Sequence, residues 1–140
     1  MHQYDKVLSY IDYFSTAGEE AGTWVYKPHV FPFVNYSPET TSFIDEVYKT
    51  DLIDIEYLPY LESHNPKELN LSDYIENADF RLLRAIIMYY VSQERFQEGL
   101  WLEAVMDGSF SKILLRLCRN NSVLNTLIVI IESWIMSDNV

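Results

Sequence analysis

The chain has 140 residues, of which 49% are hydrophobic and 15% aromatic, so it has the length and the apolar material of one domain with a core. A protein that is disordered throughout is excluded. Ten Lys and Arg against 21 Asp and Glu give a net charge of −11, which argues against direct binding of nucleic acid. One cysteine, three histidines and four glycines provide no disulfide framework, zinc site or glycine-rich phosphate loop, so we expect no cofactor.

Two segments bear on location. Residues 1–6 lack the basic stretch and apolar run of a secretory signal, so we expect a cytoplasmic protein. The apolar run 123–136 contains Asn125, Thr126, Glu132 and Ser133, and it falls short of the roughly 18 apolar residues that a membrane-spanning helix needs. We predict that this run is buried and that the protein does not contact a membrane. Because the run is apolar over most of its circumference, a homodimer through 123–136 is the alternative.

The first third of the chain predicts a helix and then a hairpin. Apolar residues at spacings of three and four predict an amphipathic helix over 4–14. The two glycines in 15–22 predict a turn or mobile loop. Aromatic and β-branched residues over 23–36, on either side of Lys27-Pro28-His29, predict a two-stranded hairpin. Pro32 has no amide hydrogen, so the second strand should lie at an edge or begin after it.

The next segment begins with a clear helix start. Ser37 can cap, and Pro38 suits the first helical position. The residues Phe43, Ile44, Val47 and Tyr48 are predicted to form the buried face of this helix. The segment 50–70 contains two prolines and many acids, and it predicts a long irregular connection with at most one short helical turn.

The second half predicts a helical bundle. Apolar stripes mark helices over 79–95, 97–106 and 109–119, a break over 120–122, and a last helix for which a strand at 128–131 remains an alternative. The predicted fold is therefore α+β, mainly α: a helical bundle with a small β-hairpin in the N-terminal third. We expect a single domain over 1–140, with an acidic helix and hairpin half at 1–80 and a helical half at 81–140.

Charge divides these halves sharply. Residues 1–80 hold fifteen acids and four lysines, whereas residues 81–140 hold six acids and six bases. In the acidic segment 45–62, tyrosines alternate with carboxylates, a combination that steers a basic partner and supplies contact area. The predicted partner-binding residues are Glu46, Asp51, Asp54, Glu56, Tyr57, Tyr60 and Glu62. Acidic surface that only maintains solubility is the alternative interpretation.

One stretch of the helical half contains acids that could form a catalytic metal site. Four acids at four-residue spacing, Glu94 with Glu98 and Glu103 with Asp107, could hold magnesium in an all-helical nucleotide hydrolase. The structural alternative is that Arg95 pairs with Glu98 and that Phe96 anchors the turn in the core. Cys118 follows apolar residues and is predicted to be a buried, inert thiol. No nucleophile motif occurs, so we expect no catalytic residues and lean against an enzyme.

Several segments carry a family resemblance. They are the opening Val-Leu-Ser-Tyr-Ile-Asp-Tyr-Phe at 7–14, Gly22-Thr23-Trp24, Tyr36-Ser-Pro-Glu with Phe43-Ile44, and above all Ala78-Asp79 through Glu94-Arg95-Phe96-Gln97-Glu98-Gly99 to Asp107-Gly108. Over residues 4–119 the chain resembles a bacterial and phage domain family of unknown function with an Arg-Phe-x-Glu-Gly core motif, here Arg95, Phe96, Glu98 and Gly99. The resemblance implies a small α-rich domain associated with mobile elements, with no assigned activity. The apolar tail after Asn120 looks like an addition to the family pattern.

Together these features predict a non-enzymatic, acidic protein-interaction module that binds a partner with a basic surface. A phage or mobile-element inhibitor of a nucleic-acid-handling enzyme, of the anti-CRISPR or anti-restriction type, is its most specific form. The alternatives are the magnesium-dependent nucleotide hydrolase and a self-associating structural or accessory protein.

Overall fold

The chain folds into α-helices and one antiparallel hairpin, which confirms the predicted fold class. The computed structural model describes residues 3–64 and 71–138. In chain order the elements are α1 (Asp5–Leu8), α2 (Ile11–Thr16), a 3₁₀ turn (Gly18–Ala21), β1 (Gly22–Lys27), β2 (Val30–Tyr36), α3 (Pro38–Tyr48), α4 (Tyr57–His64), α5 (Ser72–Ile75), α6 (Phe80–Gln93), α7 (Leu100–Met106) and α8 (Ser109–Asp138).

The core forms around the first half of α8. The helix α8 contacts α1, α2, α5, α6 and α7, and the buried face of its first half is formed by Phe110, Ile113, Leu114 and Leu117. Phe14, Phe43 and Phe110 meet in the centre, with ring centroids 4.8 Å apart for the first two and 5.4 Å apart for the last two. Tilted and edge-on aromatic contacts of this kind add to the stability that burial supplies.

The hairpin forms as predicted and turns at Pro28 and His29. Its register pairs Gly22 with Tyr36 and Trp24 with Val34, and it is irregular between Val25 and Lys27. Pro32 lies in β2 of this two-stranded sheet, where both strands are edge strands, as its missing amide requires.

The start of α3 is also as predicted. The Ser37 hydroxyl accepts a hydrogen bond from the Thr40 amide at 3.1 Å, and Pro38 occupies the first turn. Phe43, Ile44 and Val47 are buried, but Tyr48 is exposed, so its predicted place on the buried face is wrong.

The N-terminal helix is broken. Residues 4–14 form two short helices rather than one, because Ser9 bonds back to the Lys6 carbonyl and the chain turns tightly at Tyr10. The turn predicted over 15–22 forms as the 3₁₀ turn Gly18–Ala21, but α2 extends into this segment as far as Thr16.

The connection after α3 contains more helix than predicted. The eight-residue helix α4 packs against α6 and buries Leu61. Pro59 occupies the first turn of α4. Backbone amides in a first turn have no acceptor within the helix, so the missing amide hydrogen of proline costs no hydrogen bond there. The remainder of the predicted connection, 65–70, lies outside the described residues.

The predicted break at 120–122 is wrong, because α8 continues through it. Asn and Ser lower helix propensity by only about 0.5 kcal/mol each, which is too little to end a helix without glycine or proline. A strand at 128–131 is likewise absent from this described helix. The predicted burial of 123–136 is wrong at the five positions whose exposure is described, because all five are exposed: Ile130, Ile131, Ser133, Trp134 and Ile135. In the described ranges, no helix is both long and apolar enough to span a bilayer.

Candidate functional site

A cleft of about 560 Å³ lies where the acidic segment meets the Arg-Phe-x-Glu-Gly motif. Residues of α3, the α3–α4 connection, α4, α6, the α6–α7 turn and α7 form it. Its lining consists of Ile44, Tyr48, Asp54, Ile55, Tyr57, Met88, Val91, Ser92, Glu94, Arg95, Glu98 and Trp101. The two regions that the sequence marks separately are therefore parts of one concave surface.

The cleft has an apolar floor and an exposed apolar wall. Ile44, Met88 and Val91 are buried and form the floor. On the wall, Tyr48 is exposed, and Ile55 is 87% exposed with little protein around it. Burying an exposed isoleucine side chain against a partner is worth about 2 kcal/mol, so this wall can contribute to binding.

Glu94 is the structural anchor of the cleft. The residue is 8% exposed, and its carboxylate accepts hydrogen bonds from the Tyr36 hydroxyl and from the Gly99 and Trp101 amides, both amides at 3.0 Å. The two amides belong to the first turn of α7, where a negative charge complements the helix dipole. Glu94 therefore caps α7 from the preceding turn and ties it to β2.

The Tyr36 hydroxyl completes this network. Burial raises the pKa of Tyr36 above its ordinary value, and the hydrogen bond to Glu94 raises it further, because ionising the phenol would place two negative charges in contact. The ring lies 5.1 Å from that of Trp101, between centroids. Tyr36 is thus held neutral as a donor between the hairpin and α7.

The rest of the motif differs from its predicted contacts. Phe96 is 71% exposed, so its predicted place in the core is wrong. In the described ranges Arg95 forms no ion pair with Glu98, and its guanidinium lies over the Phe96 ring, 4.7 Å from the centroid. Glu98 instead accepts the Val34 amide at 2.8 Å. Gly99 has φ of +92° and lies against the Trp24 ring. Arg95 and Phe96 therefore present a cationic and aromatic patch beside the cleft.

Asp54 does not lie on the surface. It is 7% exposed and forms an ion pair with Arg81, while its second oxygen accepts the Glu56 amide at 3.0 Å. Arg84, one turn further along α6, donates to the Ile53 carbonyl. These two arginines hold the segment before α4 against α6, so Asp54 organises the cleft from within.

The other predicted partner-binding residues do not all lie in the cleft. Asp51 is exposed and accepts the Tyr4 hydroxyl, whose pKa is raised by burial and then by this bond. Glu46 pairs with Lys49 at 3.2 Å. Tyr57 lines the cleft and accepts a hydrogen bond from Gln93 at 2.6 Å.

On α4 and just before it, the predicted residues face the solvent or a neighbouring cation. Tyr60 stacks under the Arg81 guanidinium, whose carbon lies 3.9 Å from the ring centroid. Glu56 and Glu62 are exposed. The structure thus brings Asp54 and Tyr57 into the cleft, places Glu56 at its margin, and leaves Glu62 further along α4.

The predicted magnesium array is not formed. Glu94 and Glu98 are occupied by backbone and hydroxyl donors, and Asp107 accepts the Ser109 amide at 2.8 Å. Among the residues that the structure describes, no three His, Cys, Asp or Glu side chains are grouped so that they could hold a metal ion. Cys118 is half-buried rather than buried.

Sequence reasoning did not identify Tyr48, Ile55, Arg81 and Tyr36 as parts of this site. The local signal in the sequence is the apolar residue Ile55 between the acids Asp54 and Glu56. Arg81 and Tyr36 act on residues 27 and 58 positions away, so no local pattern marks them.

The comparisons with known proteins add one result. Neither a curated protein nor a solved structure gives a significant match to the chain. A family of unknown function, DUF6508, matches residues 1–122, which include every residue of the cleft and end within α8. The chain therefore belongs to the family of unknown function DUF6508.

Proposed function

We propose that the protein is a non-enzymatic interaction module that binds a partner protein with a basic surface through the cleft and its acidic margin. The observation that carries the proposal is Ile55, an 87% exposed isoleucine on the cleft wall with the carboxylate of Glu56 beside it. An exposed apolar side chain with a carboxylate beside it is typical of a protein interface. In such an interface, aromatic and aliphatic contacts supply affinity and charges supply orientation.

The charge of the surrounding surface supports a basic partner. Asp45, Glu56 and Glu62 are exposed, and Lys49 is the only basic residue in 45–62. A field of this sign accelerates association with a cationic surface and repels nucleic acid, and it weakens as salt is added. Arg95 lines the cleft with its guanidinium over the Phe96 ring, and this pair offers contacts to a carboxylate or an aromatic group of the same partner.

We further propose, as the most specific form, a cytoplasmic inhibitor from a phage or mobile element. Its target would be the basic cleft of a nucleic-acid-handling enzyme, as in the anti-CRISPR or anti-restriction type. The net charge of −11 supports this form, because such an enzyme offers a cationic surface that an acidic protein can occupy in place of its substrate.

Affinity capture from a lysate of the source cells, followed by mass spectrometry, tests the proposal. The wild-type protein should capture a basic protein at low salt and release it at high salt. Asp45→Lys/Glu56→Lys should lose this partner, whereas Asp12→Lys/Glu103→Lys changes the net charge equally at exposed positions outside the cleft and should keep it. Equal capture by both double variants would refute binding at the cleft margin.

Self-association through 123–136 remains a second candidate, because Ile130, Ile131, Trp134 and Ile135 are exposed on one stretch of α8. Four exposed apolar side chains this close together are typical of an interface. Analytical ultracentrifugation tests it. Trp134→Ser should convert a concentration-dependent oligomer to a monomer, and a wild-type protein that is already monomeric at high concentration would contradict it.

A further inference from the structure

A second cavity, of about 380 Å³, lies on the side of the molecule formed by α8 and the turn between α5 and α6. Three cationic side chains line it: Lys112, Arg116 and Arg119. They follow one another at spacings of four and three, so they share one face of α8, opposite the buried face that packs into the core. We call this the basic cavity.

Arg116 is oriented within the basic cavity by a bond to the backbone. Its Nε donates to the Ala78 carbonyl at 2.8 Å, and the residue is half-buried. That bond fixes the plane of the guanidinium and leaves its two terminal amino groups without a hydrogen-bond partner in the described part of the chain. A guanidinium held in this way has lost much of its side-chain freedom before any ligand arrives.

Among the residues that the structure describes, the three cations have no acidic partner, although the composition is rich in acids. The chain has 21 Asp and Glu for ten Lys and Arg, yet none of these three forms an ion pair within 4.0 Å among the described residues. Glu76 lines the basic cavity without reaching them at that distance. Clustered cations repel one another, so a group of three that has no carboxylate partner in the described part of the chain favours the binding of an anion.

We propose that the basic cavity binds the phosphoryl group of a small phosphorylated ligand. Arg116 would supply two donors to the phosphoryl oxygens, and Lys112 and Arg119 would supply charge from either side. Asn77 lines the same cavity and adds an amide donor. The proposal is independent of the proposed function, because neither Lys112, Arg116 nor Arg119 lines the cleft.

The size and surroundings of the basic cavity favour a small molecule over a nucleic acid. Its volume lies within the range of about 300–1,000 Å³ that small-molecule sites occupy. Leu115 provides an exposed apolar contact for the remainder of the ligand. An extended polyanion would need a longer cationic track, and the net charge of −11 opposes it.

Isothermal titration calorimetry and amide NMR spectra of the full chain with inorganic pyrophosphate and with ADP test this site. We expect saturable binding of at least one of the two, with shifts confined to residues near 76–78 and 112–119. Lys112→Gln/Arg119→Gln should weaken binding by about tenfold or more, since two charge-assisted contacts are lost. Lys6→Gln/Lys27→Gln removes the same charge at exposed positions elsewhere and should bind as the wild type does.

Tighter binding of ADP than of pyrophosphate would show that the Leu115 surface holds the part of the ligand that is not phosphate. Tighter binding of pyrophosphate would show a site for the inorganic ion. Both results support a phosphoryl site. Three results would overturn it. They are no saturable binding of either probe by the wild type, equal weakening in the two double variants, and tighter binding of a hexaglutamate peptide than of either probe. Retained chemical-shift dispersion in each variant shows that the loss is not unfolding.

Discussion

Gly99 lies directly against the indole ring of Trp24, so that a Cβ on residue 99 would lie 2.5 Å from the ring carbon Cζ2. Residue 99 also has φ of +92°, a conformation that residues with a Cβ rarely adopt. This one contact joins β1 to the turn that carries the Arg-Phe-x-Glu-Gly motif. The motif glycine thus serves two purposes. It allows the positive φ of the turn, and it leaves room for the Trp24 ring of the hairpin.

Gly99→Ala should therefore destabilise the protein more than Gly108→Ala does. Gly108 has a φ of +82° with nothing within 4 Å of a new Cβ, so its substitution adds backbone strain alone, about 1 kcal/mol. Gly99→Ala adds overlap with Trp24, for a total of about 2–3 kcal/mol. Urea denaturation measures both. In a Trp24→Ala background the difference between the two should vanish, and a difference that persists would contradict the contact.

Glu94→Gln should lower the free energy of unfolding by about 2 kcal/mol, because one of the two buried acceptor oxygens becomes an NH₂ group that faces at least one of the three donors. Glu103→Gln, at an exposed position of α7, should change it by less than about 0.5 kcal/mol. Thermal and urea unfolding of the two variants provide the comparison. Similar stabilities would show that Glu94 does not cap α7.

The Tyr36 and Glu94 contact also predicts a pH dependence. The folded protein holds Tyr36 protonated at a pKa above the ordinary value of about 10, whereas the unfolded chain releases the proton near that value. The unfolded state therefore binds fewer protons above pH 10, and stability should fall as the pH rises there. Tyr36→Phe should be less stable at neutral pH but lose stability less steeply at alkaline pH. Tyr26→Phe removes an exposed hydroxyl and should keep the wild-type slope.

Asp54→Asn should destabilise the fold by about 2 kcal/mol, because it leaves Arg81 without its carboxylate partner at a mostly buried site. Glu56→Gln removes an exposed charge two residues later and should have little effect on stability. Denaturant midpoints distinguish the two. Equal stabilities would mean that Asp54 is a surface carboxylate after all, as the sequence alone suggested.

These residues show which parts of the molecule the sequence predicts. The cap at Ser37, the hairpin turn and the start of α6 at Asp79 depend on neighbours within four residues, and all three form as expected. The positions of Asp54 and Phe96 depend on groups distant in the chain, and both were assigned to the wrong environment. An acidic side chain can be buried only if it has a partner such as Arg81. The spacing of residues within its own segment does not show whether such a partner exists.

In the apolar tail, too, the sequence predicts the helix but not what surrounds it. Apolar spacing predicts which residues share a face of a helix, and α8 is indeed helical to Asp138. It does not predict whether another element covers that face. Trp134 is 74% exposed, because no segment of the described chain packs over it.

If the cleft wall binds a protein, its exposed isoleucine should contribute to the affinity for that protein. The partner captured from lysate is titrated by calorimetry against the wild type, Ile55→Ser and Met106→Ser. Ile55 and Met106 are both exposed and apolar, but only Ile55 lines the cleft. We predict that Ile55→Ser weakens the affinity by about tenfold or more while Met106→Ser binds as the wild type does. Equal affinities for all three proteins would contradict binding at the cleft wall.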